Sequence, residues 1–403
     1  MSLTGSLLAW TIWIVAIALF VWVIIDWPRF AGPGWLSVLR RIGYQSAVVI
    51  SLLLAVGITL NSQYGWYANW GDLGSIFSTA NPGTVVASGA SATDATGPGG
   101  SSAGFGSTPG HDVVPLATVP ALGKLGLSSG RGPADGTIKS FRIPGKVSGV
   151  KSYVDVWFPA SYTDPKMATH RYPVIEAFHG VPGTPRQLWY NMHLGTSVAE
   201  QVAAGKIADS IVVMPDWAPG QIDTECVDGG AGQLQMEQWL TQDVTTWVDH
   251  HLRVVNDRSS WATFGLSAGA WCASMLTMLH PSIYSAAISL GGYFQPGFEA
   301  PYVPFKPGSP AFSHYDLLKL AKDNPPKVAL WVQTSKGDPL SYGTAQQLLS
   351  TTRPPMSVTA DVLPNAGHRV SVWIPLIPQT LQWLGATVPG FRPGTVPLAA
   401  GRK

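Results

Sequence analysis

The hydrophobic pattern divides the chain in two. Residues 7–25 (LLAWTIWIVAIALFVWVII) hold no charged side chain. At about 1.5 Å per helical residue they span roughly 28 Å, close to the ~30 Å apolar core of a bilayer. A second uncharged stretch covers residues 42–71, most apolar at 47–60. Tyr44 stands at one end, and Trp66, Tyr67 and Trp70 at the other, where interfacial aromatics gather. The pattern predicts an anchor over residues 1–70 with two membrane-spanning helices at about 7–25 and 44–64. A cleaved leader would carry a basic start, and MSLTGS has no Lys or Arg.

After residue 70 the apolar runs stop. Residues 71 to about 112 are rich in Gly, Ser, Ala and Thr, with Asp94 the only charge between Leu73 and His111. Such a stretch buries too little apolar area to offset its ordering entropy, and reads as a flexible tether. Residues 113–135 are Pro-punctuated and complete a linker over 71–135, packing on the domain or the membrane. From 136 the texture changes to short apolar runs at 152–158, 172–178, 211–214, 261–264, 286–290, 328–332 and 358–362. Helical spacing recurs at 235–252, 268–280 and 372–384. Short buried strands alternating with helices predict an α/β domain, a mostly parallel sheet covered on both faces, over residues 136–388. Residues 389–403 read as a tail.

Composition and charge sharpen this. Charged residues are 12% of the chain, against roughly 25% in soluble domains, which argues against a simple cytosolic enzyme. With net charge +2 and no Lys/Arg cluster longer than two, no nucleic-acid footprint is visible. Arg29, Arg40 and Arg41 face one acid, Asp26, between the apolar stretches, and no Lys or Arg flanks them before Lys124. The positive-inside rule therefore puts the connection in the cytoplasm and everything after residue 70 outside, in a multi-pass protein of the cell membrane. Two cysteines exclude a disulfide-dense scaffold and a four-Cys zinc site.

The chemistry centres on Gly265-Leu266-Ser267-Ala268-Gly269. G-x-S-x-G is weak alone, but here a strand ends before it and a helix starts at Ala268, the setting of a nucleophile elbow. A serine nucleophile needs a base, and in this fold class the acid and then the histidine follow it in the chain. His280 is about 18 Å away along the helix, and His314 precedes the best acid, which leaves His368 in the loop after the strand at 358–362. Asp338, in a Lys-Gly-Asp-Pro turn at the end of the run VALWVQTS, is the expected acid, with Glu299 as the alternative. Oxyanion donors are expected at the amides of Ala268 and of the loop His179-Gly180-Val181-Pro182-Gly183. Pro182 has no N–H, so Val181 leads and Gly180 follows. His179 is expected to shape this loop, and His250 and His251 to sit on a solvated face. Asp223, Glu225 and Asp228 match no metal loop, and neither metal nor cofactor is expected. A neutral histidine base predicts activity that rises across pH 6 to 8.

Several segments together resemble the esterase D / mycolyltransferase group of α/β-hydrolases, and its actinobacterial membrane-anchored members in particular. They are YPVIEAFHGVPG at 172–183, TECVDGG at 224–230, WVDHHLRV at 247–254, FGLSAGAWCA at 264–273, SLGGYF at 289–294 and NAGHRVSVW at 365–373. The resemblance covers roughly residues 136–388. It implies an extracytoplasmic serine esterase or acyltransferase acting on envelope lipids. Ala270 departs from it, since many members carry a second glycine there. A hydrolase of lipid or envelope esters is the leading expectation, then an acyltransferase to a sugar or lipid hydroxyl, then a non-catalytic envelope-binding module. The sequence leaves the oligomeric state open.

Outside the cytoplasm thiols oxidise. Cys272 lies in the second turn of the helix after Ser267, and Cys226 in the loop after the neighbouring strand at 211–214. A Cys226–Cys272 disulfide is therefore expected, holding the 216–233 loop against that helix.

Overall fold

The computed structural model describes residues 3–74, 84–89 and 115–394. It has two compact units. The larger is built on a nine-stranded sheet of β1 (Thr84–Gly89), β2 (Thr137–Pro144), β3 (Lys151–Phe158), β4 (Val174–Phe178), β5 (Ile211–Pro215), β6 (Trp261–Leu266), β7 (Ala286–Leu290), β8 (Ala329–Ser335) and β9 (Ser357–Leu363). Their order is β1-β9-β8-β7-β6-β4-β5-β3-β2. β5, β4, β6, β7 and β8 pair in parallel, and every residue in them is buried. Covered on both faces, such strands read as apolar runs without alternation. β2, β3 and β1 join antiparallel. Parallel pairing carries the carboxyl ends of β4, β6, β7 and β8 to one edge, where α/β folds place their ligands.

Several boundaries differ from the sequence reading. Within the expected tether, residues 71–74 belong to the short helix Trp70–Gly74 and Thr84–Gly89 forms the edge strand β1, whose TVV start supplies β-branched residues; residues 75–83 and 90–112 of the tether lie outside the described residues. Leu125 and Leu127 of the Pro-punctuated segment enter the core, so this segment packs on the domain, one of its two expected placements. The closing helix is Ile377–Thr387, preceded by separate turns at Val370–Trp373 and Ile374–Leu376, because Pro375 and Pro378 lack the amides a continuous helix needs. The domain extends beyond 388: Phe391 is fully buried and its carbonyl accepts from the Ala208 amide at 2.8 Å. Residues 395–403 of the expected tail lie outside the described residues.

The smaller unit contains two long helices, Ser6–Phe30 and Trp35–Tyr64, together with the short loops 335–340 and 363–372. Both helices are longer than expected, so Arg29, Arg40 and Arg41 stand on helix ends and only residues 31–34 connect them. Their apolar side chains, such as Trp10, Ile14, Ile25, Leu53 and Leu54, face outward. Between them Trp13 Nε1 donates to Thr59 Oγ1 at 2.9 Å. The second helix stops at Gly65, which takes the left-handed conformation (φ 62°) and donates to the Asn61 carbonyl.

Candidate active site

β6 ends in the elbow that the pentapeptide predicts. Ser267 adopts φ 55° and ψ −126°, a strained conformation held because its amide donates to the Leu290 carbonyl of β7 at 2.9 Å. The glycines explain why the motif has its form. A Cβ on Gly265 would lie 2.0 Å from the Gly269 carbonyl oxygen, and one on Gly269 would lie 2.3 Å from the carbonyl oxygens of Phe178 and His179. Small residues therefore let strand, helix and the β4 loop meet around the serine. Ala270 is accommodated opposite Gly292, where an added Cβ would come within 2.9 Å of it.

Ala268 opens the helix Ala268–Leu279, so its amide points out of the helix N-terminus, where oxyanions are stabilised. In the β4 loop the two donor candidates separate. Gly180 donates its amide to Gln187 Oε1 at 2.8 Å. Among the described residues the Val181 amide has no protein acceptor. His179 shapes this loop, as expected: it is fully buried, its Nδ1 lies 2.9 Å from the Gly180 carbonyl, and its ring stacks on Trp217, whose Nε1 donates to the His179 carbonyl at 3.0 Å.

Cys226 and Cys272 form the expected disulfide. Trp271 Nε1 also donates to the Glu225 carbonyl at 2.9 Å, so two bonds tie the 216–233 loop to the helix. Glu225 is fully buried, and burial together with Asp223 holds its carboxyl well above the usual range. Tyr293 donates its hydroxyl to Glu225 Oε1 at 2.5 Å. Burial, then the charge of Glu299, pushes Asp223 up to about 6. Asp228 is committed elsewhere, accepting from the Gln238 amide at 2.9 Å.

In the smaller unit, His368 Nδ1 lies 2.9 Å from Asp338 Oδ2, and both side chains are buried. Asp338 Oδ1 accepts from the Leu340 amide at 3.0 Å, which fixes the carboxylate in its turn. Ser335 Oγ accepts from the Gly337 and Ala366 amides, at 3.2 and 2.8 Å, and so joins the acid's turn to the histidine's loop. Glu299 is exposed and faces Asp223; the acid that holds His368 is Asp338. His251, expected on a solvated face, stacks on Trp247, and His280 Nε2 lies 2.6 Å from Glu237 Oε1.

Two features escaped the sequence reading. Glu176, in the middle of β4, is fully buried, and burial pushes its carboxyl up to about 8 while the Tyr284 hydroxyl donates to it at 2.6 Å. Asp72, beyond the second apolar helix, is also buried and pairs with Arg369. Neither carries a local signal, since each is a lone acid whose partner lies far along the chain.

The family described as putative esterases matches residues 148–384. A ferulic acid esterase structure is similar at 18% identity and TM-score 0.51, over 62% of this chain and 96% of that one. An S-formylglutathione hydrolase from Agrobacterium tumefaciens is similar at 15% identity and TM-score 0.52, over 64% and 97%. At these identities the likeness establishes the α/β-hydrolase fold. An uncharacterized protein of Corynebacterium glutamicum is 27% identical over 140 residues, 34% of this chain; the match spans 32%, about a third, of that relative's length.

Proposed function

Because the chain belongs to the putative esterase family, we propose that it is a membrane-anchored serine esterase that hydrolyses carboxylic esters of lipid or cell-envelope substrates on the extracytoplasmic side. The observation that carries this reading is the strained elbow at Ser267 in a chain that also pairs His368 with Asp338.

Ser267 Oγ attacks the ester carbonyl carbon as His368 Nε2 takes its proton. Asp338 accepts from Nδ1–H, fixing the tautomer and stabilising the imidazolium. The amides of Ala268 and Val181 receive the oxyanion. The imidazolium then gives its proton to the departing alcohol, leaving an acyl-serine. Water, deprotonated by the same histidine, releases the acid and restores the serine. The outward apolar faces of Ser6–Phe30 and Trp35–Tyr64 support the anchor, and Arg29, Arg40 and Arg41 beside their connection support an extracytoplasmic domain.

The test is turnover of a short-chain aryl ester by full-length protein in detergent, with products analysed in the presence and absence of a sugar acceptor. Free acid in both cases is expected. Acyl sugar would make the chain a transferase using the same residues, and no turnover would contradict the reading.

A further inference from the structure

The segment leaving the second apolar helix is built into the loop that carries His368. The Gly65 carbonyl, at the helix end, accepts the backbone N–H of His368 at 2.8 Å. Asp72, only 2% exposed, grips the residues on either side. Its Oδ2 accepts from the Gly367 amide and from Arg369 Nη1, each at 2.8 Å, and its Oδ1 from Arg369 Nη2 at 2.8 Å. The same Oδ2 accepts from the Ala68 amide at 2.8 Å, so one carboxylate joins the helix exit to the loop. Arg369 Nη1 also donates to the Trp66 carbonyl at 2.9 Å, and its guanidinium lies 4.6 Å over the Tyr67 ring.

The fit leaves no slack. A Cβ on Gly367 would lie 2.1 Å from the Trp66 carbonyl oxygen, and one on Gly337, beside Asp338, would lie 2.5 Å from Ala68 Cβ. A buried carboxylate is retained only where hydrogen bonds and an opposite charge compensate its desolvation. For Asp72 those partners are the two neighbours of His368 and the segment that holds them.

We infer that Asp72 is a positioning residue for His368, and that through it the exit of the second helix holds the catalytic base at the membrane–water boundary. This rests on the proposed roles of His368 as base and of the two helices as an anchor. Tyr64, Trp66 and Trp70, all exposed around the helix end, mark the interfacial layer at that level. An ester attacked there lies between headgroup and chains, so the substrate class is a membrane-resident amphiphile sharing the bilayer of the enzyme.

The experiment uses full-length protein in phosphatidylcholine nanodiscs. With a soluble short-chain ester, Asp72→Ala is expected to lower kcat by roughly 10- to 100-fold, the cost of a misplaced catalytic group, with KM held. Asp72→Asn, which keeps an oxygen for the Gly367 amide, should recover part of that loss. Either variant turning over at the wild-type kcat would overturn the positioning role, and Asp72→Asn decides the point if Asp72→Ala does not fold. With a fluorogenic diacyl ester embedded in the discs, the rate per disc should not change on dilution. A rate that falls in proportion to dilution would overturn the membrane-resident substrate. A wild type inert toward both esters would instead overturn the functional reading.

Discussion

Asp338 Oδ2 lies 2.9 Å from His368 Nδ1 while Asp338 Oδ1 accepts the Leu340 amide, so the carboxylate is anchored on one side and holds the imidazole on the other. Asp338→Asn keeps the size but offers the wrong partner to Nδ1–H. It should lower kcat on an aryl ester by about 10²- to 10⁴-fold. Glu299→Gln should change kcat little, since Glu299 is exposed and faces Asp223. Kinetics of the two variants side by side check this, and a larger loss in Glu299→Gln would show that the acid has been assigned to the wrong residue.

Glu176 makes the stability of the larger unit depend on pH. Burial pushes its folded carboxyl up to about 8, while an unfolded glutamate titrates near ~4.3. Between those values the folded state keeps a proton that the unfolded state releases. Stability from this group is therefore fully present below the lower value and is lost as pH rises toward 8, by about 1.4 kcal/mol per pH unit. Asp223 and Glu225, also raised, act in the same direction. Glu176→Gln keeps an acceptor for the Tyr284 hydroxyl and removes the titration. Melting temperatures from pH 5 to 8 should decline less steeply in Glu176→Gln than in the wild type. Parallel curves would show that Glu176 ionises normally.

The disulfide closes a loop across a separation of 46 residues, for which the chain-entropy estimate is roughly 4 kcal/mol. Replacing both cysteines by alanine should therefore lower the melting temperature by roughly 8–16 °C. Intact mass after alkylation without reduction should show no added alkyl groups on the wild type, and two additions would contradict the bridge.

What was legible in the sequence depended on how local the constraint was. The elbow announces itself because Gly265 and Gly269 tolerate no Cβ, which forces small residues around Ser267. His368 and Asp338 follow from chain order, since few histidines come after the serine and a turn after a buried strand offers one suitable acid. The cysteine pairing follows from neighbouring loops at one sheet edge. Edge strands β1 and β2 were missed because they lack continuous apolar runs; of β2 only Ile143 is buried. The Asp72–Arg369 pair joins residues 297 apart in sequence, and no local pattern encodes such a contact. Gly180 was separated from Val181 only by the side chain of Gln187, seven residues on, which claims its amide.

The central claim is that Ser267 is an activated nucleophile, and covalent labelling tests it most directly. Full-length protein treated with a fluorophosphonate and digested should carry one adduct, on the peptide containing Ser267. That adduct should vanish in Ser267→Ala, whose aryl-ester turnover should fall by about 10⁴-fold or more. An unlabelled wild type, or a Ser267→Ala variant that labels and turns over like the wild type, would contradict the account.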